Sequence, residues 1–167
     1  MQLTISVIGT GVAAPSTDAA AERVGVLLAA AGAVVVCGGL GGVMAAACRG
    51  ARAAGGHTIG LLPGADVDAA NPWVDVALPT GMGEARNVLV ARAGRAVIAV
   101  GGGFGTLSEL AFARKLGIPV VGLDTWRLPG DGVIHVHTAD EAVPAALAAA
   151  RRTPGDDGQV DSGRADA

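Results

Sequence analysis

The chain has 167 residues, 51% of them hydrophobic and only 2% aromatic, so Ala, Val, Leu and Ile must build the core of one domain. Charged residues are 16% and the formal net charge is −3, which argues against a disordered chain, a coiled coil or a nucleic-acid binder working through a basic surface. The 27 glycines allow close packing and let backbone approach a ligand.

Residues 3–8 read as a short β-rich strand closing on Gly9-Thr10-Gly11. A helix to residue 31 follows, with Ser16 or Thr17 as its cap and Asp18 and Glu22 near its positive end. A second strand over 33–36 ends in Gly38-Gly39-Leu40-Gly41-Gly42, and a helix over 43–54 stops at Gly55-Gly56. The third strand is 57–62, followed by a polar loop from Pro63-Gly64 through Asn71-Pro72, and the fourth is 74–78. A helix over 83–93, a fifth strand over 96–100 and the run Gly101 to Gly105 lead into a helix that ends at Leu116-Gly117. A sixth strand over 119–123, a short seventh over 133–136 and a helix over 140–150 complete the series. From Arg151 on, Pro, Gly, Asp, Ser and Gln dominate. The expected organisation is therefore one nucleotide-binding domain over residues 1–150 and a disordered tail over 151–167.

Continuous Val/Ile/Leu strands alternating with helices predict an α/β fold. Its form is Rossmann-like and doubly wound, a mostly parallel sheet of about six to seven strands with helices on both faces. No Lys or Arg precedes Arg23, and the longest apolar run, 24–37, is too short to span a bilayer and is broken by Gly25 and Gly32. Cys37 and Cys48 read as buried thiols of a reducing compartment, so a cytoplasmic location is expected.

Ligands of open α/β sheets bind beyond the carboxyl ends of the strands, where all three glycine clusters fall. Each cluster precedes a helix N-terminus, whose free N–H groups and dipole attract an anion. The clusters nominate Gly9, Gly11, Gly38, Gly39, Gly42, Gly102, Gly103, Gly105 and Thr106 as phosphate or nucleotide contacts. Met44 is placed beside them, with plain core packing as its competing reading. Gly9-Thr10-Gly11-Val12-Ala13-Ala14 fits the dinucleotide pattern G-x-G-x-x-A, but Cys37 and Gly38 stand where that pattern needs a carboxylate for the ribose. The Walker A sequence is absent.

The segment Gly81-Met82-Gly83-Glu84-Ala85-Arg86-Asn87 is followed, fifteen residues after Arg86, by Gly101-Gly102-Gly103-Phe104-Gly105-Thr106-Leu107-Ser108-Glu109. This pattern resembles the LOG-like (LONELY GUY) family, with its Arg upstream of a P-G-G-x-G-T-x-x-E motif. Gly38 to Met44, Thr58 to Gly64 and Asn71 to Asp75 extend the resemblance toward the bacterial branch related to molybdenum-cofactor carrier proteins. The resemblance implies a homodimer or homotetramer of Rossmann-like subunits. It also implies cleavage of the N-glycosidic bond of a nucleoside 5′-monophosphate, with Arg86 and Glu109 as the catalytic pair. A carboxylate suits that role because the breaking ribosyl bond builds positive charge, and an Arg pairs bidentately with phosphate.

Three positions depart from the enzymes: Gly101 stands in place of Pro, Asn87 in place of Lys, and Ser108 in place of a first Glu. A non-catalytic carrier of a phosphorylated ligand, molybdenum cofactor or a nucleotide, is therefore the alternative. A single-strand DNA module like DNA-processing protein A is disfavoured by the charge. The expected partner is a phosphorylated small molecule, a nucleoside monophosphate or a pterin cofactor, with no nucleic acid and no membrane. No resident cofactor and no metal are expected, since His135 and His137 lack Cys/His partners at ligand spacing. Thr106-x-x-Glu109 also reads as a capping box, which competes with a functional Glu109. Trp73 and Trp126 read as packing residues or as stacking partners of a base. Arg49, Arg52, Arg92 and Arg95 read as solvated helix faces.

Overall fold

A computed structural model describes residues 2–127, 130 and 132–151. The tail expected beyond residue 150 lies outside them, apart from Arg151, which ends the last helix. Seven strands form, β1 (Thr4–Gly9), β2 (Val34–Cys37), β3 (Thr58–Leu62), β4 (Val76–Pro79), β5 (Val97–Val100), β6 (Val120–Leu123) and β7 (Ile134–Val136). They lie in the order β4-β3-β2-β1-β5-β6-β7, and every pairing is parallel. The chain lays β2, β3 and β4 on one side of β1, then crosses to the other side for β5, β6 and β7. That reversal makes the β1/β5 boundary the topological switch point, the usual crevice for a ligand.

Burial on both faces explains the apolar runs: every residue of β2, β5 and β6 is buried. Helices α1 (Pro15–Ala30), α2 (Val43–Ala53) and α5 (Ala139–Arg151) cover one face, around Ile5, Val7, Val35 and Ile98. Helices α3 (Asn87–Ala93) and α4 (Phe104–Lys115) cover the other, around Ile8, Val36, Val97 and Ala99. With so few large side chains, α1 and α2 meet backbone to backbone. A Cβ on Gly25 would strike the Ala47 carbonyl, and one on Gly50 the Glu22 carbonyl. Cys37 and Cys48 are free and buried, their sulfurs 3.5 Å apart. The hydrogen bond with Cys37 and burial push the Cys48 thiol far up.

Two local expectations need correction. Helix α1 starts at Pro15 with Ala14 as its N-cap and no side-chain cap, so Ser16 and Thr17 lie inside it. Pro15 is preset for the first helical position, and the Thr17 hydroxyl donates to the Ala14 carbonyl at 3.1 Å instead of capping. The helix expected over 83–93 is a 3-10 turn, Gly83–Arg86, running into α3. The polar loop after β3 contains a 3-10 turn, Val67–Ala69, capped by Asp66. Among the described residues no helix is long and apolar enough to cross a membrane.

Candidate functional site

The register of β1 with β5 places Gly9 opposite Val100, so the first and third glycine loops leave the sheet side by side. The second loop is tied to the first by the Val43 amide, which donates to the Thr10 carbonyl at 3.0 Å. From the other side Asn71 Nδ2 donates to the Leu40 and Gly39 carbonyls at 2.9 and 3.2 Å. All three nominated clusters thus meet at one edge.

Their glycines do different things. A Cβ on Gly9 would meet Val43 and the Val100 carbonyl, one on Gly39 would meet Leu62, and one on Gly42 the Thr10 carbonyl. Packing explains these three. Gly103 and Gly105 have nothing within 4 Å of such a Cβ, and Gly11 has only the Met44 methyl at 3.7 Å, so these face open space. Met44 is buried with Cys37 and Cys48 and supports the first loop from beneath.

Helix α4 opens the site. Its N-cap is Gly103, with no side-chain cap, and its first helical bond runs from the Leu107 amide to the Gly103 carbonyl at 3.0 Å. The amides of Phe104, Gly105 and Thr106 therefore precede the helical ladder and lie at the positive end of the helix dipole. The capping box does not form. Gly101 and Gly102, at φ +57° and +139°, turn the chain directly into the helix two residues before Thr106, which then sits within the first turn. Thr106 is only 2% exposed and its Oγ1 has no partner. A Cβ on Gly102 would strike the Thr106 side chain, so that glycine makes room for it.

Glu109 points instead to Arg86, which ends the 3-10 turn after β4. Both are 6% exposed, and Arg86 Nη1 donates to Glu109 Oε1 at 3.3 Å and to Asn87 Oδ1 at 3.0 Å. Nη2 donates to the Gly38 carbonyl at 3.3 Å, and a Cβ on Gly38 would lie 2.6 Å from the guanidinium. Gly38 is therefore the seat of Arg86. Burial lifts the Glu109 carboxyl to about 7; Arg86 opposes that rise and Glu84 adds to it. Asn87 Nδ2 donates to Ser108 Oγ at 2.9 Å, and Ser108 Oγ donates to the Gly105 carbonyl at 2.7 Å. The two side-chain departures noted in the sequence are thus one hydrogen-bonded neutral pair.

Four buried side-chain atoms among the described residues lack a partner: Asp18 Oδ1, Arg86 Nε, Thr106 Oγ1 and Thr125 Oγ1. All four sit at the carboxyl edge, in the first turn of α1, after β4, in the first turn of α4 and after β6. Orphaned buried polar atoms are costly, and their concentration at one edge marks a place built for something polar.

The model of the SLOG cluster4 family matches residues 2–150. The chain belongs to the SLOG cluster4 family. Its fold is similar to that of the molybdenum cofactor binding protein of the phototrophic bacterium Rippkaea orientalis (33% identity, 89% of this chain and 97% of that one, TM-score 0.83). It is also similar to the Moco carrier protein from Chlamydomonas reinhardtii (34% identity, 89% of this chain and 98% of that one, TM-score 0.81). An uncharacterized protein of Archaeoglobus fulgidus is 45% identical over 119 residues, 71% of this chain and 78% of that protein.

Other features of this SLOG cluster4 chain lie away from the edge. A cavity of about 630 Å³ opens at the amino ends of the strands, lined by Arg92, Arg95, Arg114 and apolar side chains. Arg92 and Arg114 stand in the last turns of α3 and α4, where cations complement the helix dipole. Arg49 pairs with Glu22 at 2.7 Å and Arg52 pairs with Asp75. Among the described residues no three His, Cys, Asp or Glu side chains come together as a metal site.

Proposed function

We propose that this protein binds and carries a phosphorylated pterin of the molybdenum-cofactor kind, with the phosphate at the start of α4. The observation that carries the proposal is the set of unspent donors at that edge: the Phe104, Gly105 and Thr106 amides, Thr106 Oγ1 and Arg86 Nε. Gly103 and Gly105 leave the approach to the backbone open. Two solved relatives, whose names describe molybdenum cofactor binding or carriage, support the same ligand class. The Arg86–Glu109 pair, held on the Gly38 carbonyl, and the open Gly11 belong to the same edge. The ligand is cargo, and no resident cofactor or metal enters the proposal.

The three departures favour carriage over hydrolysis. The Asn87–Ser108 pair is neutral where the LOG-like enzymes place a Lys and a Glu, so the frame around Glu109 is kept while two charges are gone. A proline cannot adopt φ +57° or donate the 2.9 Å bond that the Gly101 amide gives to the Leu123 carbonyl, so this loop takes a path closed to the enzymes' Pro. Burial holds the Glu109 carboxyl above the usual carboxylate range, which weakens it as a fixed anion for an oxocarbenium-like transition state. The nucleoside-monophosphate hydrolase remains the second reading because a buried carboxylate and guanidinium face the proposed phosphate position together. Self-association through the exposed Val76 and Leu78 of edge strand β4 is part of the proposal, as are a cytoplasmic location and a domain ending near residue 150.

Gentle purification, denaturation and mass spectrometry of the released small molecules test the assignment. A pterin bearing phosphate supports carriage. Wild-type protein that instead releases adenine and ribose 5-phosphate from AMP, with turnover lost in Glu109→Gln, overturns it in favour of the hydrolase.

A further inference from the structure

The chain has two Phe, two Trp and no Tyr, and two of these four rings meet at the loop that opens α4. Phe104 is the first residue of α4 and is 82% exposed. Trp126 follows β6, the strand beside β5, and its ring centroid lies 5.8 Å from that of Phe104 at an interplanar angle of 35°. The Trp126 indole N–H donates to the Gly103 carbonyl at 3.1 Å, which fixes the ring to the N-cap residue of the helix. In a chain this poor in aromatics, a Phe left 82% exposed is apolar surface that, among the described residues, only the ring of Trp126 meets. Phe104 thus opens the same helical turn that carries the unspent amides and, two residues on, the buried Thr106 with its orphaned hydroxyl.

We infer that Phe104 and Trp126 are specificity-determining residues: they form a ring-stacking wall that selects a planar, fused nitrogen heterocycle joined to phosphate. Anion contacts alone do not distinguish a sugar phosphate from a nucleotide or a pterin phosphate. An aromatic wall does, because stacking rewards any flat π-face and gives nothing to a ribose. The inference rests on the proposed phosphate position, and it adds the ring end of the ligand. It also assigns Trp126 a task that its indole hydrogen bond prepares by holding it in place.

The test compares ribose 5-phosphate, AMP and a pterin monophosphate by titration calorimetry on wild type, Phe104→Ala and Phe104→Tyr. Trp73→Phe leaves Trp126 as the single fluorescent reporter. The expected result is that Phe104→Ala weakens both ring-bearing ligands about tenfold or more, the range for losing one stacking partner, and leaves ribose 5-phosphate unchanged. Phe104→Tyr restores the affinity, and Trp126 fluorescence responds to AMP and the pterin but not to ribose 5-phosphate. A preference for the pterin over AMP identifies the ring as a pterin; the reverse identifies a purine. Equal losses for all three ligands, or wild type binding AMP no tighter than ribose 5-phosphate, overturn the aromatic wall and leave the phosphate site intact. Wild type binding none of the three overturns both. A change in oligomeric mass on light scattering with unchanged ligand affinity makes Phe104 a subunit contact and overturns the inference.

Discussion

Replacing Glu109 by Gln separates two opposed effects on one side chain, burial and the Arg86 partner. The ordinary value for the carboxyl is 4.5 and the folded protein lifts it to about 7, with burial the larger influence and Arg86 opposing it. Between those two values the folded chain holds a proton that the unfolded chain has released. Stability tied to Glu109 is therefore fully present below 4.5 and is lost as pH rises through about 7. Each pH unit of that gap is about 1.4 kcal/mol, so the ionised carboxyl costs on the order of 3 kcal/mol at pH 8. Gln keeps the size and stays neutral, so Glu109→Gln is expected to be about 2–3 kcal/mol more stable than wild type at pH 8. For a domain this long that is roughly 5–10 °C in Tm, with the two proteins converging near pH 4.5. Glu22, Asp140 and Glu141, held low by Arg49, by Arg23 and by the His137 amide, lose their contributions as pH falls, equally in both proteins, and cancel in the difference. Thermal unfolding followed by circular dichroism from pH 4.5 to 8 reads the difference. A Gln variant less stable than wild type at pH 8 would show instead that the Arg86 ion pair outweighs burial.

Gly101→Pro is expected to cost about 2–4 kcal/mol, since it forbids φ +57° and removes the amide that bonds to Leu123; an unchanged Tm would contradict the loop geometry. The thiols of Cys37 and Cys48 are expected to ignore a thiol reagent in the native protein and to react as two per chain after denaturation; fast native labelling would contradict their burial. Removal of residues 152–167 is expected to leave Tm unchanged, because the buried face of α5 ends at Ala149 and Ala150; a truncated chain that fails to fold would show that the domain extends further.

The fold was legible because each strand is an unbroken β-branched or aliphatic run between helix-length segments, and a parallel sheet follows from that alternation. The switch point was legible through the glycine loops, which mark strand ends whatever their neighbours do. The start of α4 was not. Thr106 and Glu109 have capping-box spacing, and only the positive φ values of Gly101 and Gly102 move the helix start forward and free both side chains for the site. Gly9, Gly39 and Gly42 look the same in sequence as Gly103 and Gly105, yet the first group is closed in by Val43, Leu62 and Thr10 while the second faces open space. That distinction depends on neighbours up to tens of residues away. The Asn87–Ser108 bond spans 21 residues, so two separate departures from a motif form one matched pair only through the packing of α3 against α4. Phe104 left no signal of its own in the sequence, where it fills the variable position of the glycine motif.

The most direct measurement is a crystal structure of the protein soaked with a pterin monophosphate. Phosphate oxygens are expected on the Phe104, Gly105 and Thr106 amides and on Thr106 Oγ1, with the ring beside Phe104 and Trp126. Phosphate held instead among Arg92, Arg95 and Arg114 at the opposite edge of the sheet, with the α4 amides left to solvent, would contradict it.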